Sequence, residues 1–329
     1  MRDESLDMAC GFCLCIVILG HAICMCPTEI NLYAIVDLCC FYMAFFFFKA
    51  GVVFKQKSNK EIFNGSIRRL IIPYVAFCIV GTGVLILLDY YNFNPLVESA
   101  KKEIVRSFND IIKMGAPSGN LALWFLPSLF VCRYLTNILS RIGSNILLAI
   151  ILLFISVLLQ VSSQYEWYAD IPFYFKNIPI GLMLMLFGYI LKKKDRNMKV
   201  FAVSTILYVS ILIVYPSHLG IMGGRPIKGI LFSGMIADMS GCVMILNAFV
   251  ILSIRGVKNS MGGAFLKHLG QHSMPYYCQH WIVLVIAGHF LQGVNEYLKL
   301  VSMLACCMVI MPITYHFMKR YKLTWLVGE

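Results

Sequence analysis

Apolar runs dominate the chain, and the charged positions gather between them. Stretches of roughly 17–25 residues, long enough as helices to cross ~30 Å of hydrocarbon, occupy approximately 9–27, 32–54, 70–89, 120–140, 145–162, 174–191, 199–216, 230–253, 273–292 and 298–318. The pattern predicts an all-α fold: a polytopic membrane helix bundle of about ten transmembrane helices. The third-to-fourth connection, residues 90–119, is the only long one. Its Leu96 to Met114 part suits an amphipathic helix lying at the membrane interface.

Composition agrees. Of 329 residues, 60% are hydrophobic and 13% charged, where a soluble domain carries about 25% charged residues. Mean hydropathy is +0.78. A net charge of +12 raises the question of nucleic acid, but the charges lie in short loops, which excludes that partner class. Connection 55–69 carries Lys55, Lys57, Lys60, Arg68 and Arg69, and connection 192–199 carries Lys192, Lys193, Lys194, Arg196 and Lys199. Arg255, Lys258 and Lys267 follow in 254–268, and Lys319, Arg320 and Lys322 in the tail. The intervening connections 28–31, 163–173 and 293–297 hold no Lys or Arg, though 90–119 holds four and 217–229 holds two. Cytoplasmic loops are enriched in Lys and Arg, so both termini are expected in the cytoplasm, with an even number of spans. Met1 to Met8, with Asp3, Glu4 and Asp7 against Arg2, does not read as a cleaved signal peptide. Residues 1–329 read as a single integral-membrane domain with no appended soluble domain. The 13 cysteines, mostly inside spans, suit inert buried thiols rather than disulfides or a metal site.

Ionisable side chains at membrane depth are costly and usually face a partner or a water-filled cavity. His21 stands roughly 18 Å into the first span, near the midplane. Cys10 shares its helical face, three turns earlier. Counting back from Phe54, Tyr42 in the second span reaches nearly the same depth, so imidazole and phenol are placed to flank one cavity. Neutral imidazole is a fitting general base for a hydroxyl acceptor; a histidine bonded to a neighbouring helix is the plainer alternative. Lys49 lies seven residues from Tyr42 on the same face, in a very apolar span, where it could also simply snorkel. His268, His272 and His289, near span ends, are assigned no chemistry. Gly223-Gly224-Arg225-Pro226 and Gly262-Gly263 read as turns, and no Gly-x-Ser-x-Gly elbow is present.

Several patterns in register resemble the acyltransferase family 3 of integral-membrane enzymes, which includes fucose acetylase-like proteins. They are Ser5-Leu6-Asp7 with Gly11 and Leu19-Gly20-His21, the Phe-rich Phe41 to Gly51, Arg69-Leu70-Ile71-Ile72-Pro73-Tyr74, and Leu123-Trp124-Phe125-Leu126-Pro127. Weaker echoes are Phe187 to Leu191, and Leu269-Gly270 with His280. The chain departs from the family where a basic residue is expected at Cys10, a histidine at Tyr42 and a proline at Ala44.

The resemblance implies transfer of an acyl group, acetyl, from cytoplasmic acyl-CoA (acetyl-CoA) to a hydroxyl of a cell-surface polysaccharide or lipid-linked glycan. The setting would be a bacterial inner membrane, with no metal. On that reading His21 is the base, oriented by Tyr42. Lys49, Arg68 and Arg69 hold the donor phosphates, Lys49 supplying the charge absent at Cys10. Arg68 and Arg69 equally suit positive-inside anchoring, and Trp124 either lines the cavity or sits in an interfacial belt. Lys176, Asn177, Asp238 and His280 are further buried polar candidates for contacts to the acceptor, or for salt bridges that lock the bundle. The alternatives are a transporter or flippase for a glycolipid or small solute, and a family member that has lost catalysis.

Overall fold

The computed structural model describes residues 2–28, 31–92, 94–162, 165, 167–191, 196–214 and 231–329. Among the described residues the chain is helical throughout, with no strands. The first half comprises α1 (Glu4–Cys24), α2 (Tyr33–Asp37), α3 (Tyr42–Val52), α4 (Asn59–Ser66), α5 (Ile72–Tyr91), α6 (Leu96–Met114) and α7 (Phe125–Leu139). The second half comprises α8 (Asn145–Ser162), α9 (Trp167–Asp170), α10 (Phe173–Leu191), α11 (Met198–Val214), α12 (Leu231–Ile254), α13 (Met261–Gln271), α14 (Ser273–Phe290) and α15 (Glu296–Arg320). A helix stands at every predicted span. Seven helical segments are long and apolar enough to cross a membrane, and Asn145–Leu159 and Met198–Val214 are shorter apolar helices. The protein is thus built as a multi-pass membrane protein. The basic residues Lys192, Lys193 and Lys194 and the turn at Gly223-Gly224-Arg225-Pro226 lie outside the described residues.

Two predicted boundaries are corrected. The second span is not one straight helix: turns at residues 38–41 separate α2 from α3. Connection 55–69 is helical from Asn59, because Ser58 and Glu61 form a capping box that satisfies the first free N–H groups. A π-helical turn, Ile67–Ile71, then joins α4 to α5. Such a turn inserts an extra residue into the helix and often marks a functional site; here it carries Arg68 and Arg69.

The predicted amphipathic helix is α6, ended by Gly115 in the left-handed conformation (φ 82°). Its polarity is reversed relative to a soluble helix. Ser99, Glu103 and Ser107, one turn apart each, are buried, whereas Val97, Ile104, Val105 and Phe108 are exposed. That arrangement suits a helix whose apolar side meets lipid.

The centre of the bundle is α1, flanked by α3, α12, α13, α14 and α15. In lipid there is little hydrophobic drive between helices, so close packing through small residues takes over. Gly270 on α13 lies on the backbone of Asp7: a Cβ there would stand 1.7 Å from the Asp7 carbonyl oxygen. One helical face further on, a Cβ on Gly11 would stand 2.0 Å from the Leu266 oxygen. The acidic start of α1 is tied down by cations. Asp3 pairs with Arg196, Glu4 with Lys267 (3.2 Å) and Lys258 (3.5 Å), and Asp7 with Arg2 (2.7 Å). Basic residues from several connections therefore collect at one end of the bundle, called here the basic end.

Gly270→Val is expected to separate α13 from α1 and lower the thermal unfolding midpoint in nanodiscs, by roughly the 1–3 kcal/mol typical of overpacking or more. Gly262→Ala, with nothing within 4 Å of the new methyl, should leave it unchanged or slightly raised.

Candidate functional site

His21, one turn before the end of α1, meets α14. Its ring stacks on His280 with centroids 5.4 Å apart and takes the edge of Trp281 at 4.7 Å. Among the described residues no hydrogen bond joins His21 to Tyr42, and the imidazole beside His21 is that of His280. Tyr42 heads α3 after the turns at 38–41; its ionisable neighbours include Cys24, Asp37, Asp238 and Cys40, and also Tyr277, whose carbonyl holds His280.

His280 is fully buried, and its Nδ1–H donates to the Tyr277 carbonyl at 2.6 Å. That bond fixes the tautomer and leaves a lone pair on Nε2. Nε2 has no hydrogen-bond partner among the described residues. No hydrogen bond there occupies the ring of His21 either. Two imidazoles thus stand side by side at membrane depth with acceptor nitrogens open.

The 3-10 segment Ser118–Trp124 holds α14 in position for this contact. Trp281 Nε1 donates to the Ser118 carbonyl at 3.2 Å, Asn120 Nδ2 to the Cys278 carbonyl at 2.8 Å, and the Tyr277 hydroxyl to the Ala122 carbonyl. The segment is itself seated on α5 by a glycine pair: a Cβ on Gly119 would lie 2.1 Å from the Gly81 oxygen.

At the basic end a cavity of about 560 Å³ opens between α3, the π-helical turn Ile67–Ile71, α7 and the start of α14. Lys49, Arg69, Arg133 and Arg2 line it. Lys49 Nζ donates to the Gly270 carbonyl at 3.3 Å, so this lysine is held in the cavity instead of snorkelling. Arg133 Nε is buried without a hydrogen-bond partner among the described residues, and the charge of Arg69 acts on it. Guanidinium groups that repel one another and lack carboxylates suit polyanions such as phosphates. One carboxylate is present, that of Glu329. It accepts from the Tyr315 hydroxyl at 2.6 Å and lies 3.1 Å from His272 Nδ1.

Aromatic rings separate this cavity from the histidines. Phe46 and Phe125 line its inner wall, and their rings lie 6.3 and 5.4 Å from Tyr277, which lies 5.5 Å from His280.

The structure thus brings together His21 and His280, and separately Lys49 and Arg69. Arg68 is exposed and does not line the cavity. Trp124 packs on Phe173 at 5.0 Å, away from His21. Lys176 lies over the Tyr168 ring at 5.5 Å, and Asn177 caps back onto the Phe173 carbonyl at 2.9 Å. Asp238 is fully buried on α12, beside Cys40, Tyr208 and Tyr42 rather than the histidines. Arg133 went unnoticed in the sequence although its signal is the one that exposed Lys49: a charge inside an apolar span. Asn120, Tyr277 and Trp281 carry no such signal, being common polar-aromatic residues of a helix bundle. Among the described residues no group of three or more His, Cys, Asp or Glu could hold a metal ion.

Trp281→Phe, which keeps a ring beside His21 but drops the Nε1 bond, is expected to cost about 1 kcal/mol of stability. Thermal unfolding in nanodiscs, compared with wild type, measures it.

No curated protein and no solved structure matches the chain. A family model, however, described as an acyltransferase domain, matches residues 3–316. With nearly every helix inside that match, and His21, His280, Lys49, Arg69 and Arg133 with them, the chain belongs to the acyltransferase family 3.

Proposed function

We propose that the protein transfers an acyl group, acetyl, from acyl-CoA to a carbohydrate hydroxyl, with His21 as the general base. The observation that carries this reading is the stacked pair His21 and His280, with open ring nitrogens, beyond the inner wall of a cavity lined by Lys49, Arg69 and Arg133. The donor supplies a thioester, an acyl group already activated toward an incoming hydroxyl. Its phosphates suit Lys49, Arg69, Arg133 and Arg2, which replace the single basic residue absent at Cys10. The cavity fits such a ligand because Arg133 Nε is buried without a hydrogen-bonding acceptor among the described residues.

The residues of the chain have three tasks. Lys49, Arg69 and Arg133 bind the anionic end. His21 takes the proton of the attacking hydroxyl at a ring nitrogen. His280, held through Nδ1 by the Tyr277 carbonyl, orients His21 by stacking and excludes lipid from it. Tyr42, beside Asp238 and Cys24, belongs to the neighbouring wall and shapes the chamber; we assign it no proton transfer.

Ten crossings with both termini in the cytoplasm suit this scheme. Arg2 and Glu329 line the same cavity, as an even number of crossings requires, and the paired basic residues Arg196, Lys258 and Lys267 stand at that end. A bacterial inner membrane and a cell-surface polysaccharide or lipid-linked glycan acceptor complete the proposal.

The test uses purified protein in nanodiscs, radiolabelled acetyl-CoA and a cell-envelope glycan extract. Label should enter glycan with wild type and fall to background with His21→Ala; equal labelling by both would overturn the role of His21, and none by wild type the transfer itself. Donor binding gives a second expectation. Arg133→Gln removes a charge-assisted contact of about 1.5–3 kcal/mol, so Kd for acetyl-CoA should rise roughly 10- to 100-fold. The unfolding midpoint should hold or rise, since the charge removed has no partner. Glu329→Gln should shift Kd the other way.

A further inference from the structure

At the end of the bundle opposite the basic cavity lies a second pocket of about 490 Å³, walled by α5, α6, α14 and the start of α15. Its place along the helices links it to the histidines. Met25 lines it, one turn beyond His21 at the end of α1. Val285, Gly288 and His289 line it from α14, and Gln292 from the turn that follows. Val285 and His289 follow Trp281 at steps of four residues, with Gly288 three beyond Val285, which keeps these helical positions on one face. The two helices that carry His21 and Trp281 therefore continue directly into this pocket, about 6 Å further on, the rise of one turn.

The lining is polar in a way that lipid does not explain. Glu103 is 3% exposed, and its Oε2 accepts no hydrogen bond among the described residues; two cations flank the carboxylate without bonding it, Lys102 Nζ 3.7 Å from Oε1 and Arg106 Nη1 3.8 Å from Oε2. Asp89 is bonded by Lys102 at 2.9 Å and by Asn94 at 3.1 Å. Gln292 and Lys299 add donors. A buried carboxylate with an idle oxygen is expensive, and it stands on the inward stripe of α6 with Ser99 and Ser107. At the rim the rings of Tyr91 and Phe290 are exposed and packed edge to face, 5.5 Å apart.

The geometry points to this pocket as the acceptor site, taking a polyhydroxylated carbohydrate; this rests on the acyl-transfer reading above. Carboxylate oxygens of Glu103 and Asp89 accept sugar O–H bonds, Gln292 and Lys299 donate to ring and hydroxyl oxygens, and the rim aromatics offer an apolar face to sugar C–H groups. Two carboxylates among its cations distinguish it from the donor cavity, where Glu329 alone stands among four cations. A sugar held here would present a hydroxyl toward Met25 and on to His21, so donor and acceptor approach the histidines from opposite ends of the bundle. The exposed apolar side of α6 beside the pocket makes a lipid-linked sugar the natural source, and a water-soluble oligosaccharide the other.

Saturation-transfer NMR on the protein in nanodiscs, with a panel of methyl glycosides as probes, tests the site directly. At least one glycoside should show transfer with wild type and equally with His21→Ala. Transfer should be lost with Glu103→Gln combined with Gln292→Leu, and also with Gly288→Val. The latter fills the pocket while leaving every charge in place; its Cβ would meet Met303 only at 3.5 Å. Unchanged unfolding midpoints and unchanged acetyl-CoA Kd in these variants establish that the fold and the donor cavity are intact. No transfer for any glycoside, or transfer that survives both variants, overturns the assignment. Binding that behaves as expected while wild type labels no glycan would retain the sugar site and defeat the acyltransferase reading. In the labelling assay, KM for the acceptor should rise at least tenfold in the pocket variants. Comparing glycan extracts with and without their lipid anchor identifies the source: a lower KM for the anchored form supports entry beside α6, and equal values favour a soluble oligosaccharide.

Discussion

Enclosure of α1 is the constraint from which the other features follow. A helix carrying a histidine near mid-membrane cannot present it to lipid without a large desolvation cost. Here α1 is surrounded by α3, α12, α13, α14 and α15, and its close approach to α13 depends on backbone contact at Gly11 and Gly270. With those positions set, His21 points at α14, and α14 must offer it something polar or aromatic. It offers His280 and Trp281.

Position on α14 is in turn set from outside the pair. Three carbonyls or amides of the 3-10 segment Ser118–Trp124 engage Trp281, Cys278 and Tyr277, and Gly119 seats that segment on α5. Non-helical backbone at membrane depth is tolerated where protein buries it, and this segment is buried between α5 and α14. Its irregularity thus has a use: an ordinary helix has its carbonyls occupied, whereas this stretch can direct Ser118 and Ala122 oxygens sideways to a neighbour.

Charge is sorted along the bundle axis. Cations outnumber the one lining carboxylate, Glu329, in the cavity between α3, the π-helical turn and α7, while both signs mix more evenly in the pocket beneath α6. Between them stand aromatic rings and the two imidazoles. Such sorting separates an end suited to phosphates from an end suited to neutral or mixed polar groups. Asp238, fully buried, stands apart from both, beside Tyr208 of α11 and Tyr42 of α3.

Much of the fold is legible in the sequence, because hydrocarbon imposes a length and a composition on every crossing segment. The boundaries 145–162 and 96–114 coincide with α8 and α6, since Ser, Gly and Pro punctuation stands at their ends. His21 and Lys49 are likewise legible, each being an ionisable group inside an apolar run, and Arg133 could have been found by the same rule. The chain alone also carries the family motifs that the match over residues 3–316 bears out. Partnership was a different matter. Rise per residue fixes the depth of Tyr42 and His21, but which faces meet depends on helix rotation, and that is decided by glycine contacts and by breaks such as residues 38–41. Only the assembled bundle therefore places His280 rather than Tyr42 on His21, gathers Arg133 with Arg69 and Lys49, leaves Arg68 outside, and turns the polar stripe of α6 inward: local sequence determines depth and amphipathicity, while azimuth is a property of the packing.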